Sequence, residues 1–411
     1  MTAQLNRFED LRTRVRADLV DEHDGKIVAL PRTTEEVAAI LRHADENRLT
    51  VEIVGGGTKR GWGNPVSSDL VLETSAMAGV SQYSPQDLTV TVAAGTRWSA
   101  MQRALQANGQ HVALDPLWPD IATVGGIIAT NDSGSLRLKY GSLRDLVIGM
   151  TIVLADGTIA RTGGKVVKNV AGYDLHKLMT GAFGTLGVIA EVTFRLHPTA
   201  AQTKTWTVSS PTAEPASELL LKVLDSQLSV QAMQLRTGDE GYRLDVELAT
   251  LPEVLASQLE VLDRLAESVA AKSGVNLDAV PGTDANPFAA REQLFASPGG
   301  AIVKLTMLPS RIAVVSNEVV RLGGRAVTQA TGIMFARFDE DAATAAIQRL
   351  RGYVESMGDG SLTVLRASQR LPNLPVDTTS SAVKTLPLMR EIKRQFDPNR
   401  VLNPGRFLGG I

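Results

Sequence analysis

The segment VGGGTKRGWG, Val54 to Gly63, holds five glycines in ten residues, where 36 glycines in 411 residues would give about one. A stretch so poor in Cβ atoms cannot be a packed helix or strand interior, and it lets another group approach the backbone closely. Its successive N–H groups can turn inward as an anion nest, Thr58 can add a hydroxyl, and Lys59 or Arg60 can add charge. A phosphate or pyrophosphate suits that chemistry, and an ordinary flexible turn fits the same glycines equally well. The spacing matches neither the Walker pattern nor the dinucleotide fingerprint.

Two further glycine clusters follow in order. ATVGGIIATNDSG, Ala122 to Gly134, starts an apolar stretch at Gly125-Gly126, where a helix N-terminus would offer unpaired N–H groups and the positive end of its dipole to a phosphate. A tightly packed helix start reads the same way. GAFGTLGVIAEV, Gly181 to Val192, places three glycines before a β-branched strand, compatible with backbone lying flat against a planar ring. Between them, Arg161, Lys165, Lys168 and Lys177 face a single acid, Asp174, so this stretch is basic. It can compensate a bound pyrophosphate, dock an acidic partner, or simply be solvated.

The rest of the composition narrows the chemistry. At roughly 150 residues per domain, 411 residues make two or three domains. The 42 basic and 44 acidic side chains leave a net charge of -2, so no global field attracts nucleic acid. There is no cysteine, which excludes disulfides, thiolate metal sites and an iron-sulfur cluster ligated in the usual way by this chain. Redox chemistry then needs an organic cofactor or a partner. All five histidines, His23, His43, His111, His176 and His197, fall in the first half, so no histidine base or transition-metal site is expected in the second. His176 is the one beside a glycine cluster. No apolar run approaches the roughly 18 residues of a membrane span, and the N-terminus lacks a signal-peptide pattern, so a cytoplasmic protein is expected, either free or held at the inner membrane through partners.

The element pattern is mixed α and β. It predicts a helix over Leu5–Leu19, a strand over Lys26–Leu30, and a helix to about Arg48 opened by the capping box Thr33-x-x-Glu36. Strands follow at Val51–Val54 and Leu88–Ala94, then a helix over Arg97–Asn108 capped by Thr96. Asp156-Gly157 turns a hairpin, and the strand Gly187–Leu196 ends at His197-Pro198. Past residue 200 the helices lengthen (Pro252–Ala271, Asp341–Met357) between strands such as Ala301–Met307 and Gly332–Phe338. The tail FDPNRVLNPGR, Phe396 to Arg406, reads as two proline turns too polar for a core.

With GGGT at Gly55–Thr58, ATVGG at Ala122–Gly126, Tyr140-Gly141, the Asp156-Gly157 turn, the block Lys168–Leu196 and that tail, the chain resembles the FAD-linked oxidases, which share the FAD-binding fold of vanillyl-alcohol oxidase and para-cresol methylhydroxylase (PCMH). Within them, GGKVVKNVAGYDLHKLM (Gly163–Met179) and a short second domain resemble the FAD-binding subunits of bacterial glycolate oxidases. The resemblance implies an α+β chain: a PCMH-type FAD-binding domain of two α+β subdomains over 26–199 after an N-terminal helix (1–25), a smaller α+β cap or substrate domain with an antiparallel sheet (200–382), and a helix and tail (383–411) returning to the FAD domain. It implies that Gly55, Gly56, Gly57, Thr58 and Lys59 wrap the pyrophosphate, that Ala122, Thr123, Gly125 and Gly126 flank the flavin and ribityl chain, and that Val188 touches the cofactor through its backbone. No catalytic residue is assigned and no metal site is expected. Relatives that attach FAD covalently use a first-loop histidine or a cysteine, and this chain has neither, so noncovalent FAD is expected. Implied partners are a sister FAD subunit and an iron-sulfur subunit of a glycolate oxidase complex acting on a small 2-hydroxy acid. The histidine pair that 2-hydroxyacid dehydrogenase relatives carry in the second domain is missing. The expected role is therefore an auxiliary or electron-transferring flavin subunit, with a self-sufficient D-2-hydroxyacid dehydrogenase and a redox-silent flavin scaffold as alternatives.

Overall fold

The computed structural model describes residue 11 and residues 17–23, 26–164, 174–238, 241–280, 286–371 and 380–411, the last with side chains from 384 onward. The chain falls into two units, one of Met1–Ser133, Ser142–Thr199 and Ala382–Ile411, the other of Gly134–Gly141 and Ala200–Ser381.

The first unit opens with strands β1 (Val20–His23) and β2 (Lys26–Ala29), helix α1 (Thr34–Glu46), and strands β3 (Val51–Val54) and β4 (Leu70–Glu73). Helix α1 starts where the sequence places it, because Thr33 Oγ1 accepts the Glu36 N–H at 3.2 Å while Glu36 Oε2 accepts the Thr33 N–H at 3.2 Å. Its buried residues Val37, Ile40, Leu41 and Ala44 recur at helical spacing and pack in one cluster with Leu70 and Leu72 of β4. The sheet order is β1-β2-β4-β3, parallel except for the β1/β2 pair. The helix expected over Leu5–Leu19 lies largely outside the described residues, and its end, Ala17–Leu19, is a 3-10 turn rather than α-helix.

A second sheet takes β5 (Val80–Ser84) and β6 (Thr89–Ala93), then, after α2 (Trp98–Gln106) and α3 (Val124–Thr130), β7 (Val147–Val153), β8 (Ile159–Gly163) and β9 (Val188–Arg195), in the antiparallel order β5-β6-β9-β7-β8. The Asp156-Gly157 turn joins β7 and β8 with Gly157 at φ 80, a conformation that favours glycine. Thr96 does not cap α2. Arg97 holds the cap position without a side-chain bond, and the Thr96 hydroxyl instead bonds the backbone of Gly79.

The second unit is an antiparallel eight-stranded sheet. It contains β10 (Gln202–Ser210), β11 (Val230–Gly238), β12 (Gly241–Thr250), β13 (Asp278–Ala279), β14 (Ala301–Thr306), β15 (Arg325–Gln329), β16 (Ile333–Phe338) and β17 (Ser361–Ala367), ordered β13-β10-β12-β11-β15-β16-β14-β17. The helices Ala213–Leu224, Pro252–Ser273, Ile312–Arg321 and Glu340–Ser356 join one apolar cluster with the strands, through Leu219, Leu262, Val315 and Ile347 among others. The opposite strand parity mixes buried apolar residues such as Ile302, Val327 and Phe335 with polar ones, among them Asp245, which accepts from Arg236, Thr207 and Gln234.

The tail is the largest departure from expectation. Phe396–Arg406 is not a polar surface turn: Asp397 is 0% exposed, and Val401, Leu402, Asn403 and Arg406 are buried. Its polarity is absorbed internally. Asp397 accepts the Val401 and Leu402 N–H groups at 2.9 and 2.8 Å and the Lys393 ammonium at 2.6 Å. Lys393 also donates to the carbonyls of Thr185 and Leu402. The chain then runs beside β3, with Val51 N–H on the Val401 carbonyl and Asn403 N–H on the Val51 carbonyl. Removing one partner of a buried ion pair leaves the other charge uncompensated, so Lys393→Met should cost the first unit about 3–5 kcal/mol. Urea unfolding of the variant beside the wild type measures it, and a loss below about 1 kcal/mol would mean that the pair does not hold the tail.

Candidate functional site

At the C-terminal end of β3 the chain enters the first glycine cluster, which lines an open cleft with about 700 Å³ of empty space. The second cluster contributes Thr123, Gly125, Gly126, Ala129 and Thr130, the third contributes Phe183, Gly184, Gly187 and Ile189, and the tail contributes Asn403 and Arg406. A concave, mainly apolar lining with a few polar groups suits small-molecule and cofactor binding.

The glycines of the first loop have different reasons to be glycine. A Cβ on Gly55 would lie 2.2 Å from Thr123 Oγ1, and one on Gly56 would lie 2.1 Å from the Ile121 carbonyl oxygen. Both are small because the first loop presses against the second. Gly57 alone combines a positive φ of 71 with open space where its Cβ would be. No acceptor among the described residues takes the N–H groups of Gly56, Gly57 or Thr58, which leaves an anion nest facing the cleft. A phosphate fits this part of the site.

The second cluster behaves otherwise. Its helix is capped by Thr123, but the N–H groups at its start are spent: Val124 donates to the Thr96 carbonyl, Gly125 to Ala94 at 2.7 Å, and Gly126 to Thr123 Oγ1. The dipole end expected to receive phosphate is closed by the protein itself. Gly125 is required by packing, since its Cβ would approach Ala94 Cβ to 2.9 Å. In the third cluster, Gly181 N–H and Phe183 N–H dock on the carbonyls of Ile128 and Ala129, so this loop is moulded to the second.

Of the residues expected to contact a cofactor, Gly55, Gly56, Gly57, Thr58, Lys59, Thr123, Gly125 and Gly126 line the cleft. Ala122 and Val188 do not: both are buried in the core, and their neighbours Thr123, Gly187 and Ile189 reach the cleft instead. Lys59 lines the cleft, yet its ammonium sits 3.0 Å from buried Asp132 and lies over the rings of Trp62 and Trp118. Asp132 also accepts the Leu117 N–H, so the pair ties the two loops together. His176 is buried away from the cleft lining, and burial pushes its imidazole below the usual value. Most of the basic stretch 161–177 lies outside the described residues. Sequence reading missed Asn403, whose amide accepts from Ile53 N–H at 3.0 Å and donates to the Phe183 carbonyl at 2.7 Å, stapling β3 to the third loop. The signal available is the pair of amide- and arginine-bearing proline turns in the tail, whose polarity reads as exposure.

Comparison with known proteins agrees with this geometry. An FAD binding domain model matches residues 25–163, and a model for the C-terminal domain of FAD linked oxidases matches residues 378–407. Para-cresol methylhydroxylase superposes with a TM-score of 0.71 at 17% identity, covering 99% of this chain and 97% of that one. The chain thus has the α+β fold of para-cresol methylhydroxylase, with an FAD binding domain over residues 25–163 and, in its tail, the C-terminal segment found in FAD linked oxidases. Among curated relatives, glycolate oxidase subunit GlcD of Bacillus subtilis is 37% identical over 49% of this chain and 43% of its own length. GlcE of Escherichia coli is 35% identical over 38% of this chain and 45% of its own. The D-lactate dehydrogenase of Archaeoglobus fulgidus is 28% identical over 93% of this chain and 91% of its own. The matched part thus spans less than half of either glycolate oxidase subunit.

The two kinds of glycine make a contrast that can be measured. Gly56→Val should lose flavin binding together with stability, because the new side chain meets the Ile121 carbonyl. Gly57→Ala meets nothing and carries only the left-handed backbone cost of about 1–2 kcal/mol, so it should fold yet bind FAD more weakly by hindering the phosphate. Full FAD affinity in a folded Gly57→Ala protein, read by fluorescence titration, would remove the first loop from the diphosphate site.

Proposed function

We propose that this chain is a GlcE-like, noncovalent FAD subunit of a glycolate-oxidising complex, in which a sister flavoprotein oxidises the 2-hydroxy acid and this subunit accepts or relays electrons. The observation that carries the reading is the pairing of a glycine-lined FAD cleft with a second unit that has no histidine, since the last histidine of the chain is His197. When bound, FAD supplies a two-electron acceptor. Oxidation of an alcohol carbon by hydride transfer also needs a base for the hydroxyl proton, and that inventory lacks the usual one. The nest of Gly56, Gly57 and Thr58 would hold the diphosphate. Phe183, Gly184 and Ile189 would offer the flat apolar surface that a ring system needs, and the backbone of Thr123 to Gly126 would flank the ribityl chain. Among the described residues, the cleft lining has no histidine, cysteine or tyrosine to form a covalent link. With no cysteine in the chain, an iron-sulfur carrier would sit in a third subunit. No helix among the described residues is long and apolar enough to cross a membrane, so attachment at the inner membrane would run through the complex.

A second reading, a self-sufficient D-2-hydroxyacid dehydrogenase, draws support from the near full-length alignment with a D-lactate dehydrogenase. One experiment separates the two. The purified holoprotein is mixed anaerobically with glycolate or D-lactate in a stopped-flow instrument, and the flavin released by acid is then assayed in the supernatant. The relay reading expects yellow supernatant and little bleaching by either acid. Rapid bleaching that saturates with substrate would promote the dehydrogenase, and a yellow pellet would end the noncovalent assignment.

A further inference from the structure

Among the described residues, three cationic side chains line the cleft, Lys59, Arg60 and Arg406, and no carboxylate does. Two of the three are already neutralised from behind. Lys59 is paired with Asp132 at 3.0 Å, and the Arg60 guanidinium grips both oxygens of Glu52 at 2.7 and 2.6 Å.

Arg406 is placed differently. It is 6% exposed, and its Nη2 donates to the carbonyls of Lys59 and Arg60 at 3.1 and 3.2 Å, both neutral acceptors. Its Nε is buried with no hydrogen-bond partner among the described residues. Burial pushes this guanidinium below its ordinary range, with the charge of Glu52 opposing the effect and that of Arg60 adding to it. An arginine does not shed its proton at physiological pH, so the cost of burying it stands until an anion meets it. The guanidinium lies against the carbonyls that follow the nest, so the same anion can face both.

We propose that Arg406 is the counter-charge for the diphosphate of the bound dinucleotide, donating to its oxygens beside the amides of Gly56, Gly57 and Thr58. The inference rests on the FAD reading above and deepens it: Lys59, the cation nearest the nest in sequence, serves the loop clasp with Asp132, and the charge comes from the tail, some 350 residues later.

The test uses the apoprotein of the full chain, with FAD, ADP and adenosine as probes. Wild type should bind FAD, and ADP should displace it far better than adenosine. Arg406→Gln keeps a side-chain amide for the two carbonyls but loses the charge. FAD binding should weaken roughly ten- to a hundredfold, the range of a charged hydrogen bond, and the preference for ADP over adenosine should collapse. Arg406→Lys, which restores charge without the fork, should recover part of both. Arg406→Gln that binds FAD as tightly as wild type would overturn the proposal. So would a variant that loses FAD affinity while keeping the ADP preference, since that marks a purely structural arginine. If the glutamine variant does not fold, the wild-type comparison still decides, because equal competition by ADP and adenosine leaves no diphosphate site for Arg406 to serve. A wild-type chain that binds no FAD at all would instead sink the flavoprotein reading itself.

Discussion

The arrangement of the cleft depends on one buried carboxylate. Asp397, fully enclosed, takes two backbone N–H groups and one ammonium, and so holds the turn that sends the tail back along β3. A lone buried charge is expensive, but this one is saturated by its donors. Once the turn is made, Asn403 and Arg406 have only one place to go. Asn403 joins β3 to the third glycine loop, and Arg406 reaches the carbonyls of the first. Two of the three loops are therefore fixed by residues separated from them by more than two hundred positions, which is why the cleft is a tertiary feature rather than a local one.

Glycine does two jobs here that composition alone cannot separate. Gly55, Gly56 and Gly125 are small because protein backbone or a side chain occupies the space of their missing Cβ atoms. Gly57 is small on the cleft side, where nothing else from the chain is present. The loops are thus stacked against one another first and open toward the cleft only at their rims. A rigid stack of this sort preorganises the amides that point outward, so binding an anion need not also order the loop.

Local patterns carried much of the secondary structure. The capping box of α1, the Asp156-Gly157 turn and the strands Val51–Val54 and Gly187–Leu196 were legible because each is decided within a few residues. Thr96 was misread for the same reason: its neighbours look like a helix start, yet the hydroxyl is drawn to Gly79, a partner brought close by the sheet. The tail is not legible from composition, because polarity does not mean exposure where buried polar atoms satisfy one another, as Asp397, Lys393 and the Val401 and Leu402 amides do. The cleft's glycines could be seen in the sequence, whereas its cations could be counted but not assigned, since pairing Lys59 with Asp132 and Arg60 with Glu52 is a fact of packing.

Charge in this site is therefore best understood by subtraction. Of the three basic side chains that line it among the described residues, two have carboxylate partners on the protein side, so each can hold a loop in place without adding much net field to the cleft. Among the described residues, that leaves the nest amides and the Arg406 guanidinium as the electropositive groups without a carboxylate partner. Such a site favours a bound anion without relying on long, mobile lysines, whose ordering would cost side-chain entropy on each binding event.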